Sequence, residues 1–576
     1  MDASKQEPKY VLAMYDVRGK QNFIYRSTHI KEIIGGSDII RTIFQRELYD
    51  AAKEYRNEIG YEGDSAEEAI YDYHHHSTDG GSKVTAIDTE EFSFSAFQER
   101  MKKSQYVGEV VYDGGGNFFI LYKSEDICKK VTYRFTKKVI EKYISLRVIC
   151  TYIENLNPDR YHGTPEDPGD YERLYKRHRY VENEMLMTLP YGTLPIVQTD
   201  YLSSMPLSCF HYRSKAEKQK AKLTTESFAK YRRYEELQKN KSCLNGMAIP
   251  DEKILDKMVT QKGEESLLAV IYMDGNNMGA SVEKCLAGKV SYDECVNQLR
   301  SFSSKIQKVF IDDQAGSFSA GSNDRMRLVI GAGDEVTVIC NARDAYSVVK
   351  AYMEKLEEIN SSEKPEENLF GFTFTSCAGI AIFHSHAPYA EAYRIAEECC
   401  ASAKSCMRDY EIQDVCMLDY HYCQGAIGVS LKQIRKDERT TDGSRPWLIT
   451  DCRRNVNAEN NSFNGTDLVT RETVLKMVKL LNIFGRSNIK GLNVAAQRGK
   501  SAFDLEIRRI EAHMTSYQKR LLKESECSIR EDIYKDIDSA RKLIEDIVIV
   551  YDLWKDEWQE EMKWQDIVAR AESEGE

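Results

Sequence analysis

Two stretches of this chain repeat one pattern, and the repeat is the feature that most limits how the chain can fold. Residues 110–121 and 328–339 each read as a strand, a glycine turn and a second strand. At the turn, the first copy has Gly116 and Asn117, whereas the second has Asp334 and Glu335. Adjacent carboxylates at a hairpin tip, beside glycines that let a phosphate approach the backbone, are what a magnesium-nucleotide site needs.

The repeat extends beyond the hairpin in both directions. Each copy begins with an apolar run that ends in an aspartate, and each closes with an amphipathic helix and another apolar strand. The matching segments are 10–16 with 267–274, 124–144 with 341–359, and 146–153 with 372–383. We therefore predict an α+β protein that contains an internal duplication of a strand, helix, hairpin, helix, strand unit.

Length and composition set the outer bounds. The chain has 576 residues, of which 41% are apolar and 30% charged, as in a soluble globular protein of about three or four domains. The predicted domains are 1–155 (first repeat), 156–263 (helices and loops), 264–450 (second repeat) and 451–576 (a C-terminal helical domain). No run approaches the ~18 apolar residues of a membrane span, and the first residues lack a signal-peptide pattern, so we expect a cytoplasmic protein without membrane contact.

Cysteines and charge exclude two classes of site. The fifteen cysteines form no Cys-x-x-Cys pair, so a zinc ribbon is not expected, and their scatter through apolar segments indicates reduced core residues. A net charge of −12 argues against a large exposed nucleic-acid surface. Small anionic ligands that are held through a metal ion remain compatible with an acidic chain.

The second repeat contains the candidate catalytic and metal-binding residues. Asp274 ends one central strand, and Asp334 with Glu335 lies on the neighbouring hairpin, so we expect the three carboxylates to meet at one edge of the sheet. Three carboxylates can hold one or two Mg²⁺ or Mn²⁺ ions, and two ions about 3.5–4 Å apart can bridge an attacking 3′-hydroxyl and an α-phosphate. The reaction indicated is nucleotidyl transfer.

Further residues of this repeat are candidates for binding the triphosphate. The turn after Asp274 could offer backbone N–H groups to the β- and γ-phosphates, because it lies between a strand and a helix. Lys404 could offer a cation to the same triphosphate, or it could equally be a solvated surface lysine. The candidates in this repeat are Gly275, Asn276, Asn277, Met278, Gly279, Ala332, Gly333 and Lys404.

These motifs resemble the large, polymerase-like subunit of type III CRISPR effector complexes. In the second repeat the resemblance rests on Asp274 with the turn that follows it, on the hairpin 332–335 and on the strand 376–382. In the first repeat and the tail it rests on 16–21, 31–37, 114–117, 445–447 and 484–488. The resemblance spans most of the chain, in order.

The resemblance implies a fold and a function. It implies two ferredoxin-like palm domains that face each other as a pseudo-dimer, followed by a helical domain. It also implies an enzyme that joins ATP into cyclic oligoadenylates, which are second messengers of antiviral defence. The glycine-rich first palm would help to seat a nucleotide, through Gly36, Ser37, Gly114, Gly115, Gly116 and Asn117. The implied partners are nucleoside triphosphates, effector-complex subunits and RNA, the last two through the helical regions.

The chain departs from the family at several points. No His-Asp nuclease motif precedes the first palm, and the zinc-binding cysteines are missing. Asn276 stands where many members have an aspartate, and Ala332 and Glu335 replace a glycine and an aspartate of the hairpin. Two alternatives stay open: an enzyme like a diguanylate cyclase that uses GTP, and a scaffold subunit that binds nucleotide or RNA without turnover.

Overall fold

The chain folds into two mixed sheets with helices, followed by C-terminal helices, and this computed structural model confirms the predicted α+β class. The described residues are 9–27, 29–64, 67–73, 91–114, 117–185, 196–201, 203–211, 221–239, 243–244, 247–248, 258, 266–319, 325–362, 371–425, 428–438, 443–453 and 468–573.

The first palm is built on a five-stranded sheet. Its strands are β1 (Val11–Arg18), β2 (Ile70–Tyr71), β3 (Gly108–Gly114), β4 (Asn117–Tyr122) and β5 (Arg147–Ile153), in the order β2-β3-β4-β1-β5. Its helices are α1 (Lys20–Tyr25), α2 (Ile30–Ile43), α3 (Tyr49–Glu58), α4 (Phe94–Lys102) and α5 (Glu125–Lys142). Alternate residues of β1 enter two different hydrophobic cores, because successive side chains of a strand face opposite sides of the sheet.

Two helices and two short hairpins follow the first palm. They are α6 (Asp170–Glu184), β6 (Leu207–His211), β7 (Ala221–Thr224), α7 (Thr225–Lys239), β8 (Cys243–Leu244) and β9 (Met247–Ala248). The charged helix α7 lies against α2 at Gly35, where an added Cβ would stand 2.0 Å from the Lys230 carbonyl oxygen. Lys230 itself is buried and pairs with Glu226. This face of α7 is therefore not available to RNA.

The second palm is built on a seven-stranded sheet. Its strands are β10 (Leu267–Gly275), β11 (Met326–Ala332), β12 (Glu335–Asn341), β13 (Ser376–His384), β14 (Val415–Tyr422), β15 (Trp447–Asp451) and β16 (Val469–Thr470), in the order β11-β12-β10-β13-β14-β15-β16. Its helices are α8 (Met278–Leu286), α9 (Tyr292–Gln307), α10 (Ala345–Ser362), α11 (Tyr389–Asp409) and α12 (Leu431–Asp437). The central strand β10 is buried along nearly its whole length.

The internal duplication is confirmed in detail. Strands β3-β4-β1-β5 and β11-β12-β10-β13 have the same order, and the four-residue turn regions pair Gly114 with Asn117 and Ala332 with Glu335. Each hairpin also has a register shift at the same place, around Val111 in the first palm and Val329 in the second. Because a bulge inserts one extra residue into a strand, matching bulges indicate two copies of one unit.

The two palms contact each other reciprocally at these bulges. From α9 of the second palm, Arg300 Nε donates to the carbonyl oxygen of Val111 at 2.9 Å. From α2 of the first palm, Ser37 Oγ donates to the carbonyl oxygen of Val329. Since α2 and α9 occupy corresponding places after the first strand of each palm, the arrangement is a pseudo-dimer.

The C-terminal helices continue the hydrophobic core of the second palm. They are α13 (Arg471–Phe484), α14 (Arg486–Arg498), α15 (Lys500–Ala512), α16 (Ser516–Glu524), α17 (Ile529–Asp532), α18 (Ile537–Glu561) and α19 (Trp564–Ser573). Buried side chains of α18 and of β10 belong to one continuous core. Trp554 Nε1 donates to the Ala342 carbonyl oxygen at 3.0 Å, and the buried pair Arg445–Asp546, also at 3.0 Å, ties the sheet to α18. The tail is therefore packed on the second palm.

Two further observations bear on the class of protein. Among the described helices, none is both long enough and apolar enough to cross a lipid bilayer. The described cysteines are free thiols and most are buried, as the sequence predicts for reduced core residues.

Candidate functional site

An aspartate and a lysine form the centre of the site in the second palm. Asp274 lies near the end of β10, and Lys404 reaches it from α11, with 2.6 Å between Nζ and Oδ2. Lys404 Nζ also donates to the Gly275 carbonyl oxygen at 2.8 Å. Burial lowers the pKa of Lys404, but the charge and the hydrogen bond of Asp274, together with Cys400 and Cys377, outweigh it, so the net pKa is raised and the ammonium stays charged. Lys404 is thus not a solvated surface lysine.

Asp334 lies close to Asp274 on the hairpin turn between β11 and β12. Gly275 permits this approach, since an added Cβ would stand 2.8 Å from Cβ and 3.0 Å from Oδ2 of Asp334. Gly333 allows the turn itself through its φ of +62°. Burial, and then the charge of Asp274, raise the pKa of Asp334 to about 7. Two carboxylates that repel each other in a poorly hydrated place favour a bound cation.

The third predicted acid, Glu335, has a tyrosine as its hydrogen-bond partner. Glu335 is the first residue of β12, and its Oε1 accepts a 3.4 Å hydrogen bond from the Tyr393 hydroxyl. Burial and the charge of Asp274 raise its pKa, while Lys20 of the first palm lowers it. No group of three Asp, Glu, His or Cys side chains in the described ranges is ready to hold a metal ion. The meeting of the three carboxylates at a metal ion therefore stays a prediction: the charge of Asp274 acts on both Asp334 and Glu335, while Glu335 directs its Oε1 to Tyr393.

Part of the turn after Asp274 serves the fold. The Asn276 backbone N–H donates to the Thr375 carbonyl oxygen at 2.9 Å, and its side-chain amide donates to Thr375 and to the Val415 carbonyl oxygen. Asn276 is buried, so its predicted contact with phosphate is corrected to a strand-linking role. Asn277, with a φ of +58°, precedes α8, and Gly279 on its first turn faces open space. Asn277 and the first turn of α8 are the parts of this segment that stay accessible.

The predicted nucleotide-binding residues of the first palm have structural partners. An added Cβ at Gly36 would stand 3.3 Å from Cε of Lys230, and Ser37 holds Val329 of the second palm. Gly114 and Asn117 close the first hairpin in the same register as Ala332 and Glu335. Gly115 and Gly116 lie outside the described residues, so the role of this hairpin stays a prediction.

The first palm has a closed counterpart of the Asp274 site. Asp16 near the end of β1 contacts Arg18 Nε at 2.6 Å and His178 Nε2 at 3.3 Å, the histidine coming from α6. The exposed fractions of the Asp16 and His178 side chains are 9% and 4%, against 31% and 25% for Asp274 and Lys404. Only the second palm leaves its aspartate accessible to a ligand.

Several residues at the site were missed by reading the sequence. Glu397 and Tyr393 lie on the face of α11 that carries Lys404, and the charge of Asp274 contributes to a raised pKa of Glu397, after burial and Glu398. Once Lys404 is placed at the site, helix spacing predicts that Glu397 and Tyr393 lie beside it, since residues four and seven apart share a face of a helix. No spacing in the sequence indicates Lys20 and Tyr25, because they belong to the first palm and reach the site only through the docking of the two palms.

The second palm also matches a known protein family. Residues 267–411 match the family model described as the second palm domain of Cas10/Cmr2. The matched segment begins with β10 and ends just after α11, so it contains Asp274, the β11–β12 hairpin and Lys404. No curated protein matches the chain.

The comparison with solved structures finds Csm1-Csm4 assemblies. One, in complex with cA4, has 12% identity and a TM-score of 0.42, covering 94% of this chain and 70% of that chain. A second, in complex with AMPPNP, has 12% identity and a TM-score of 0.40, covering 70% and 54%. A third, from the type III-A CRISPR-Csm interference complex, has the same identity and TM-score, covering 71% and 54%. The chain thus spans little more than half the length of the last two.

The assignment rests on the family match together with the observed palm topology. The matched residues lie on the strands and helix that carry the site, and they run through the copy of the duplicated unit that keeps its acids. Residues 267–411 are therefore a second palm domain of the Cas10/Cmr2 type, which confirms the resemblance of this chain to the polymerase-like subunit of type III CRISPR complexes.

Proposed function

We propose that this chain is a nucleotidyltransferase that joins ATP into cyclic or linear oligonucleotide second messengers in antiviral defence. In the proposed reaction a 3′-hydroxyl oxygen attacks an α-phosphorus, and the bond to pyrophosphate breaks. The observation that supports this most is the half-exposed pair Asp274 and Asp334 in a domain of the Cas10/Cmr2 type. A purely structural domain has no physical need to hold two carboxylates in mutual repulsion.

The donor set suits Mg²⁺ or Mn²⁺. Carboxylate oxygens are the hard ligands that these ions prefer. Burial and then the charge of Asp274 raise the pKa of Asp334, and a bound cation would stabilise its ionised form. Asp274 and Asp334 would hold the metal, with Glu335 as the third proposed ligand. Two bound ions would supply Lewis acidity toward the α-phosphate and stabilise the attacking and leaving oxygens.

Other residues of the chain would bind and orient the nucleotides. Lys404 carries a charged ammonium at the site and would contact the triphosphate. The first turn of α8, at Met278 and Gly279, would offer its free N–H groups to phosphate oxygens. The first-palm hairpin, with Gly114 and Asn117, would help to seat a second nucleotide.

The two alternatives differ from this proposal in substrate and in turnover. An enzyme that uses GTP in the manner of a diguanylate cyclase would need the same acids, so the acids do not separate the two. A scaffold subunit of a CRISPR-type complex would bind nucleotide or RNA without chemistry. The placement of Asp334 in a poorly hydrated place beside a second carboxylate, which raises its pKa, favours an enzyme over that scaffold.

The test is to incubate the purified chain with Mg²⁺ or Mn²⁺ and each nucleoside triphosphate, and to resolve the products by mass spectrometry. Adenosine oligonucleotides from the natural chain, and none from the Asp334→Ala, Glu335→Ala double variant, would support the proposal. Guanosine products would favour the cyclase alternative. Turnover by the double variant would overturn the site, and nucleotide binding without any product would favour the scaffold.

A further inference from the structure

A short chain of contacts links the first palm to Glu335 of the second. Tyr393 on α11 donates its hydroxyl to Glu335 Oε1 at 3.4 Å. In the described part of the chain, Glu335 has no ion pair, so this long hydrogen bond is the polar contact that orients its carboxylate. A carboxylate with one weak contact keeps several orientations unless its partner is itself held firmly.

Tyr393 is held between two other tyrosine rings. Its ring stacks on that of Tyr25 with centroids 4.1 Å apart and 22° between the planes, and it meets Tyr272 edge-on at 5.5 Å. All three side chains are buried. Stacked and edge-to-face contacts are the favoured arrangements of aromatic pairs, so the Tyr393 ring is locked in one orientation.

The ring that stacks on Tyr393 belongs to the other palm. Tyr25 is the last residue of α1, directly after the central strand of the first palm, whereas Tyr272 and Tyr393 are both in the second. Lys20, at the other end of α1, lowers the pKa of Glu335 through its charge. The same six-residue helix therefore reaches the Glu335 region at both of its ends.

From these contacts we propose that Tyr393, clamped by Tyr25, is a positioning residue for Glu335, so that docking of the first palm sets one acid of the second. The inference rests on the proposed metal-dependent function. It gives the first palm a part in the chemistry besides seating a nucleotide: without α1 in place, Tyr393 and then Glu335 would lose their fixed orientation.

The experiment measures Mn²⁺ binding to the full chain by electron paramagnetic resonance, without nucleotide. Tyr393→Phe keeps the stack and removes the hydroxyl. We expect about threefold to tenfold weaker binding, which is less than the roughly tenfold to 100-fold typical for partners of metal ligands, because the hydrogen bond is long. Tyr25→Leu removes the stack and should weaken binding similarly, although Tyr25 touches no proposed ligand. Tyr25→Phe restores the ring and should recover most of the affinity.

The matched control is Tyr292→Phe. It removes another buried tyrosine hydroxyl that donates to a carboxylate, Asp170, at 2.9 Å, between α9 and α6. We expect its Mn²⁺ affinity to equal that of the natural chain. Thermal unfolding of every variant separates loss of positioning from loss of fold.

The outcomes distinguish this inference from the proposed function. If the natural chain binds Mn²⁺ and Tyr393→Phe binds it equally well, the positioning role is overturned while the metal site stands. If Tyr25→Leu alone leaves the affinity unchanged, the link from the first palm is overturned. If the natural chain binds no Mn²⁺, the metal site fails, and the inference fails with it.

Discussion

Each palm pairs an aspartate with a basic side chain at the corresponding place, but the pair is buried in the first palm and accessible in the second. In each, an aspartate near the end of the first strand meets a basic side chain from the helix that follows the last strand of the duplicated unit: Asp16 with His178, and Asp274 with Lys404. In the first palm Arg18 joins the pair and the aspartate is buried. In the second, the pair is half-exposed and a further acid, Asp334, stands beside it. The two palms share a fold, so the fold does not decide which pair is a candidate active site. The difference lies in the exposure of the aspartate to solvent and in the additional carboxylate of Asp334.

The sharpest way to break this comparison is to neutralise Asp274. We expect Asp274→Asn to lower kcat by at least about 100-fold, because loss of metal binding removes several kcal/mol of transition-state stabilisation. Its stability should change by less than about 1 kcal/mol, since the pair with Lys404 is partly solvated. Steady-state kinetics and urea unfolding on the same preparation measure both. Retained kcat would place the chemistry elsewhere.

Lys404 is the next test, because it either binds the triphosphate or only neutralises Asp274. If it binds triphosphate, Lys404→Met should lower kcat/KM by about tenfold to 100-fold, with most of the change in KM, as expected for a lost charge-assisted contact worth about 1.5–3 kcal/mol. If it only neutralises Asp274, the variant should bind Mn²⁺ more tightly and keep its KM. Nucleotide kinetics together with Mn²⁺ titration decide between these outcomes.

The first palm should respond in the opposite way. Asp16→Asn removes the charged partner of the buried His178 and of Arg18, so we expect a loss of about 1–3 kcal/mol in unfolding free energy. The kcat per folded molecule should be unchanged. Chemical denaturation measures the stability, and single-turnover kinetics at a temperature where the variant is folded measures the chemistry. A large fall in kcat would mean that the closed site takes part in the reaction.

The pH dependence of stability should reveal the repulsion at Asp334. Its pKa in the folded chain is raised from the ordinary 3.8 to about 7, so the unfolded chain releases this proton first and the folded state loses stability as pH rises from 4 to 7. Asp334→Asn removes that loss. Without divalent ions the variant should equal the natural chain near pH 4 and exceed it by up to about 4 kcal/mol above pH 7, since the rise spans about three pKa units and each corresponds to about 1.4 kcal/mol. Thermal unfolding across pH with a chelator present is the measurement, and equal curves would contradict the repulsion.

The smallest expected effect concerns Ser37. Because its hydroxyl holds the Val329 carbonyl oxygen, Ser37→Ala should cost about 0.5–1.5 kcal/mol of stability and leave the nucleotide KM unchanged. Gly36 and Ser37 were predicted from the sequence to bind nucleotide. A raised nucleotide KM with an unchanged free energy of unfolding would support that prediction. It would show that Ser37 exchanges its hydrogen bond with Val329 for one with the nucleotide.

The sequence predicts the elements around the hairpins because their pattern is local. Alternating apolar strands, glycine turns and terminal aspartates appear within short windows, and their repetition makes the pattern specific. The positions of Asp274 and Asp334 at one sheet edge follow from strand order, which the duplicated unit preserves. The placement of Asp334 beside the end of β10, where the charge of Asp274 acts on it, is therefore the part of the site that sequence reasoning could reach.

The rest of the site depends on where side chains point and on contacts between segments far apart in sequence, and a local sequence pattern predicts neither. Asn276 faces inward to link strands, and Glu335 contacts Tyr393, because each side chain's direction follows from neighbours far away in sequence. The contact between Tyr25 and Tyr393 exists only because two palms dock, and the C-terminal helices join the second core through Trp554. Composition alone could not distinguish that packing from a separate helical domain.

The reciprocal hydrogen bonds at the two bulges resemble those between two identical chains, although here both partners belong to one chain. Donors at corresponding helices that reach the same carbonyl position on the opposite unit are what an isologous homodimer would show, in which one patch meets its own copy. In such a dimer every substitution appears twice, so neither site could change alone. A single chain that holds both copies has no such constraint: one half can bury its aspartate while the other keeps an accessible one, and the two halves can use different donors at the interface, Ser37 on one side and Arg300 on the other.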